Sequence, residues 1–146
     1  MENNVIISIR GRQTRPGEED EVIDLLTEGT LERTGDTFLL SYEESPVTGL
    51  ENTHTTFRIE PACISLLRTG AYHSELVFAR ERRHLSLYDT PFGSLSVGVR
   101  THSLSSELDE HGGVIDLDYA LELDHMLAGR NFFHITVQEK GTPVLS

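Results

Sequence analysis

The chain has 146 residues, the size of one domain with a real core. Its 37% hydrophobic and 25% charged residues exclude a disordered chain. Acids outnumber bases 24 to 12 and the net charge is −12, which disfavours nucleic-acid phosphates and anionic membrane surfaces as partners.

A single cysteine, Cys63, excludes an intrachain disulfide and any Cys-x-x-Cys metal or redox pair. Its neighbours Ala62 and Ile64 predict a buried, inert thiol. Met1 to Asn4 has no basic leader pattern, and no apolar run nears the ~18 residues needed to span a bilayer. A cytoplasmic protein is the resulting expectation.

In chain order, what recurs is apolar alternation with period two, broken by turn residues, as in half-buried antiparallel strands. Val5, Ile7 and Ile9 open the series, and Thr14 to Asp20 break it around Pro16 and Gly17. Ile23, Leu25 and Leu31 share one phase of a long second strand. Thr34-Gly35-Asp36 turns the chain into Phe38, Leu40 and Tyr42. A polar loop over Ser45 to Thr53 leads to Thr55, Phe57 and Ile59, which Pro61 ends. Ala62 to Arg68 is a short strand closed by Gly70. Glu75 to Ala79 and His84 to Asp89 follow, separated by Arg80 to Arg83, and Thr90-Pro91-Phe92-Gly93 is a turn.

The last third alternates most regularly. Ile115, Leu117, Tyr119, Leu121 and Leu123 interleave with Asp116, Asp118, Ala120, Glu122 and Asp124. A helix would spread those acids around its circumference and leave no apolar stripe. A two-residue turn at His111-Gly112 puts Leu108 opposite Ile115, Leu104 opposite Tyr119 and Glu107 opposite Asp116. Val99, Val97 and Leu95 have the other parity from Leu104, so a β-bulge is predicted near His102, with Arg100 facing Glu122. A hairpin loop at Ala128-Gly129-Arg130 sets Leu123 opposite Ile135, Leu121 opposite Val137 and Asp124 opposite His134. The sum is an all-β, single-domain meander over residues 1–146, closed into a barrel because a sheet this long must bury a face without leaving edges.

Ile64 to Gly70 with its Arg68-x-Gly70, Tyr88-x-Thr90-Pro91-Phe92-Gly93, Val97 to Thr101 and Gly113 to Leu123 occur in an order that resembles the YwiB-like proteins of bacteria. Many of these have Tyr where this chain has Phe92, and Arg80 to Arg83 is more basic than their pattern. The resemblance implies a calycin-like (lipocalin-like) barrel of about eight to ten strands and implies no activity. Binding of a small apolar molecule is analogy from fold alone.

Seven histidines form no ligand-spaced pair, and the sequence shows no Ser-nucleophile elbow, phosphate loop or zinc-protease motif, so no catalytic residue, metal or cofactor is assigned. The acids Glu107, Asp109, Asp116 and Asp118 crowd one sheet end, as a cation site or, more simply, a solvated edge. Arg68 stands out because it ends an apolar strand. Inside the barrel it is either a tie between strands, the favoured expectation, or an anchor for an anionic head group among Phe57, Phe78, Tyr119 and Leu121. Tyr42, Tyr88 and Tyr119 complete the candidate ligand-binding set with Arg68, Phe57 and Phe78.

Three functions stay open. A non-catalytic barrel binding a small, partly apolar or amphipathic molecule is preferred. A packed module offering its acidic face to a basic protein, and an enzyme of unrecognised type, are the alternatives. An interior of ~300 Å³ or more with convergent polar groups suits the first; a filled core suits the second.

Overall fold

The computed structural model describes residues 2–44, 51–70, 74–79, 83–90 and 93–140, with 2, 86–90 and 93–94 described by backbone alone. Ten antiparallel strands follow one another: β1 (Glu2–Thr14), β2 (Glu21–Thr34), β3 (Thr37–Glu43), β4 (Thr53–Glu60), β5 (Cys63–Gly70), β6 (Ser74–Ala79), β7 (Arg83–Thr90), β8 (Gly93–Asp109), β9 (Gly112–Leu123) and β10 (Met126–Glu139). The sheet order is β6-β5-β4-β3-β2-β1-β10-β9-β8-β7. Every ladder joins consecutive strands except β1 with β10. β6 packs against β7 and β8, so the sheet curls nearly into a closed barrel. The all-β meander follows from the alternation already read in the sequence, and ten strands lie within the eight to ten that the family resemblance implied.

The inward phase is the apolar one. Val5, Ile7, Leu31, Leu40, Ile59, Ile64, Phe78, Val99, Ile115 and Ile135 are all buried in one core. Cys63 departs from expectation: it is half-buried and free, because it sits at the start of β5 beside the Pro61-Ala62 turn. The bulge falls where parity demanded it. The β8–β9 register slips between Thr101 and Ser103, with His102 as the extra residue.

The hairpin registers differ from the sequence reading while every face stays the same. The β8–β9 turn is Glu110-His111, with Asp109 opposite Gly112, so Leu108 faces Gly113 and Leu104 faces Leu117. Asp109 explains the choice: its Oδ1 accepts the His111 N–H at 2.8 Å and the Gly112 N–H at 3.2 Å. Arg100 is on the outside as expected, but opposite Ala120; Glu122 faces Gly98 and pairs with Arg83. Glu107 faces Val114, and Asp116 faces Ser105, so the predicted like-charge pair does not arise.

The β9–β10 turn is Asp124-His125, not Ala128-Gly129-Arg130. Both residues have positive φ, 49° and 69°, which Asp and His tolerate better than most residues. The Asp124 N–H donates to Ser96 O at 2.8 Å and its Oδ1 accepts the Ser96 N–H at 3.1 Å, holding the turn against β8. Ala128 is a bulge residue, and Leu121 faces Gly129, Ile135 faces Ile115, and Val137 faces Gly113. His134 therefore meets Asp116, at 2.6 Å, and not Asp124.

Candidate functional site

Two rows of side chains cross the barrel at one level. On the wall of short strands, Tyr42 of β3 lies opposite Thr55 of β4, which lies opposite Arg68 of β5. On the wall of long strands, Gln13 of β1, Asn131 of β10, Tyr119 of β9 and Thr101 of β8 follow one another. Each sits on the inward phase of its strand, toward the end of the barrel that carries the β1–β2 and β9–β10 connections. The next inward positions toward the other end are Leu40, Phe57, Leu66, Gly11, Phe133 and Leu117, with no polar side chain among them. The interior is thus polar toward one end and apolar toward the other.

A cavity of ≈220 Å³ lies between the rows, lined by Tyr42, Phe57, Leu66, Arg68, Leu76, Phe78 and, across from them, Ile9, Gln13, Leu117, Tyr119, Leu121, Asn131, Phe133 and Ile135. It falls short of the ~300 Å³ at which drug-sized sites begin, because aromatic rings fill the space. Phe78 and Tyr119 stand 4.6 Å apart between centroids, Tyr119 and Phe133 6.1 Å, and Tyr42 and Phe57 6.5 Å.

Five of the six residues singled out in the sequence, Arg68, Tyr42, Tyr119, Phe57 and Phe78, line this one cavity. Tyr88 lies in β7 opposite Leu95, and its side chain is outside the described residues. Three polar neighbours escaped the sequence reading: Gln13, Asn131 and the buried Glu44. The signal was present, since each is a polar residue on the apolar phase of its strand: Gln13 continues Ile7 and Ile9, Asn131 continues Ile135 and Phe133, and Glu44 continues Leu40 and Tyr42.

The electrostatics centre on Tyr42. Burial pushes its phenol well above the ordinary range, and the Glu44 carboxylate adds to this by its charge and by accepting the phenolic hydrogen bond; Arg68 opposes them. Glu44 Oε1 also accepts from Thr55 Oγ1 at 2.9 Å. Arg68 is half-buried, and its buried Nε has no hydrogen-bond partner among the described residues. Among the described residues no cluster of three or more His, Cys, Asp or Glu can hold a metal ion.

Two larger hollows, ≈480 and ≈420 Å³, open elsewhere. Their arginines are already matched: Arg33 with Glu110 at 3.2 Å, Arg10 with Asp24 at 3.0 Å, and Arg12 with Asp20. They offer no unmatched arginine.

A family model described as a domain of unknown function, DUF1934, matches residues 7–135. The chain belongs to the DUF1934 family. A solved structure, the crystal structure of the ywiB protein from Bacillus subtilis, superposes with a TM-score of 0.82 at 23% identity, over 94% of this chain and 92% of that one. This DUF1934 chain therefore shares the ywiB fold, as the sequence motifs implied. No curated protein matches it. No helix among the described residues is long and apolar enough to cross a membrane.

Proposed function

We propose that the barrel binds a small organic anion with an apolar body, without catalysis. The observation that carries the reading is the Arg68 Nε, without a partner among the described residues, at the polar level of a mainly apolar and aromatic cavity. A buried guanidinium donor without a partner is costly, and a carboxylate guest removes that cost. An engineered apolar cavity of ~150 Å³ holds benzene, so ≈220 Å³ suits an aryl acid or a short-chain acid and is too small for a long fatty acid. Gln13 and Asn131 face Arg68 across the cavity and supply neutral hydrogen-bonding groups to orient the guest.

The reading of the barrel as a docking module for a basic protein is less well supported. The outward acids of β9 already have bases: Asp116 has His134, Asp118 has Arg130 at 2.9 Å, and Glu122 has Arg83.

Thermal unfolding with millimolar phenylacetate or hexanoate tests the proposal. Saturation near 100 Kd raises Tm by roughly 5–10 °C. Palmitate and neutral 2-phenylethanol leave Tm unchanged. Arg68→Met keeps a Tm close to that of the parent and loses the response to anions. The proposal fails if no small anion shifts Tm, or if Arg68→Met responds as the parent does.

A further inference from the structure

β2 outruns its neighbour. It pairs with β1 from Glu21 to Glu32, but with β3 only from Gly29 to Thr34. Among the described residues, the edge from Glu21 to Glu28 has no strand beside it on the side away from β1. An open edge presents backbone N–H and C=O groups in alternation and is a template for another strand. This one also shows bare apolar groups: Val22 is 61% exposed and Leu26 73%.

The sequence of the edge selects its partner. Laid antiparallel against a second copy with Asp24 opposite Asp24, Val22 meets Leu26 twice on the outer face, and Ile23 meets Leu25 twice on the inner face. A slip of two residues in the alignment sets Asp24 against Val22 in one direction and against Leu26 in the other. Only the twofold register about Asp24 matches apolar with apolar on both faces. Like charges at the centre would oppose it, but each Asp24 carries its own Arg10 at 3.0 Å, so the centre holds two acids and two bases. The flanking acids are likewise matched, Asp20 by Arg12 and Glu28 by Lys140 at 3.1 Å.

We infer that β2 is a self-complementary edge through which two copies of this chain join, with Asp24 on the twofold axis. Such a contact is isologous and closes on itself, so it gives dimers and not fibres. Seven paired residues extend ~24 Å at ~3.4 Å each. An interface this small is at the weak end of specific contacts, so the dimer forms with a micromolar dissociation constant.

Sedimentation velocity from 1 µM to 500 µM protein tests this, with a directed cross-link. A monomer–dimer equilibrium is expected within that range, and Leu26→Lys, on an exposed position, shifts it at least tenfold toward monomer while the melting temperature stays that of the parent. In a Cys63→Ser background, Asp24→Cys cross-links to itself under mild oxidation. Its Cα atoms would lie ~4.5–5.5 Å apart, within disulfide range. Asp20→Cys and Glu28→Cys, each opposite the other and not itself, do not cross-link alone but do so when mixed. A monomer throughout, a dimer indifferent to Leu26→Lys, or cross-linking equal at all three positions overturns the inference.

Discussion

The polar residues that matter here are those on the wrong phase. Gln13, Glu44, Thr55, Arg68 and Asn131 all stand where alternation calls for an apolar side chain, and all lie near the same end of the barrel. Tyr42 shows how such a group couples folding to pH. Its folded phenol titrates above the ordinary value near 10, because burial and Glu44 disfavour the phenolate. The unfolded phenol releases its proton first as pH rises. The contribution of this group to stability is therefore complete below pH ~10 and declines above it. Absorbance titration at 295 nm should show a phase of tyrosine ionisation that appears only as the chain unfolds, and Tyr42→Phe should remove one tyrosine from that phase. A Tyr42 that ionises freely near pH 10 in the folded protein would contradict the placement of its hydroxyl against Glu44.

At the scale of strands and turns, glycine at the start of β9 controls how closely three strands approach. Gly113 has φ 148°, and a Cβ there would stand 1.9 Å from Glu107 O. Neither the backbone nor its neighbour can yield without breaking the β8–β9 ladder. Gly113→Ala is expected to cost at least about 3 kcal/mol, measured by denaturant unfolding. Gly17→Ala is the control: φ is 78° but nothing lies within 4 Å, so the cost is only about 1 kcal/mol. Equal costs at the two positions would refute the steric account.

This glycine also shows what sequence reading captured and what it missed. Faces were legible, because Ile115, Leu117 and Tyr119 can be inward only together, and the change of parity between Val99 and Leu104 demanded an extra residue, which is His102. Registers were not legible. Gly112 looked like a turn residue but serves close strand approach, and the turn next to it is set by the Asp109 carboxylate. Asp124 and His125 turn the chain with two positive φ values and no glycine at all. Shifts of an even number of residues leave every face unchanged, so alternation cannot detect them. The cavity was legible only as a set of inward aromatic rings and one arginine; its size depends on how those rings meet across strands far apart in sequence.

At the scale of the whole molecule, the barrel is a ring of hairpins with one exception at each side. Among the described residues nine ladders hold it, and eight join strands adjacent in the chain. The ninth joins β1 to β10, from Val5 with Glu139 to Thr14 with Arg130, and Lys140 N–H still reaches Asn4 O at 2.9 Å. Opposite it lies the junction of β6 and β7, consecutive strands that pack without a ladder among the described residues. Covalent continuity and hydrogen-bonded continuity are thus out of step, and folding speed should register this. To form the β1–β10 ladder the chain must close its longest loop, and closure entropy grows with loop length. A permuted chain that starts at Arg83, runs through Lys140, crosses a short glycine linker to Glu2 and ends at Ala79 would make every ladder a local hairpin. It should keep the same registers and refold faster, by up to about a hundredfold by that entropy alone where the closure limits the rate. Unchanged refolding would place the β1–β10 ladder after the rate-limiting step. Faster refolding would mean that the native order of strands makes its own closure the slowest event.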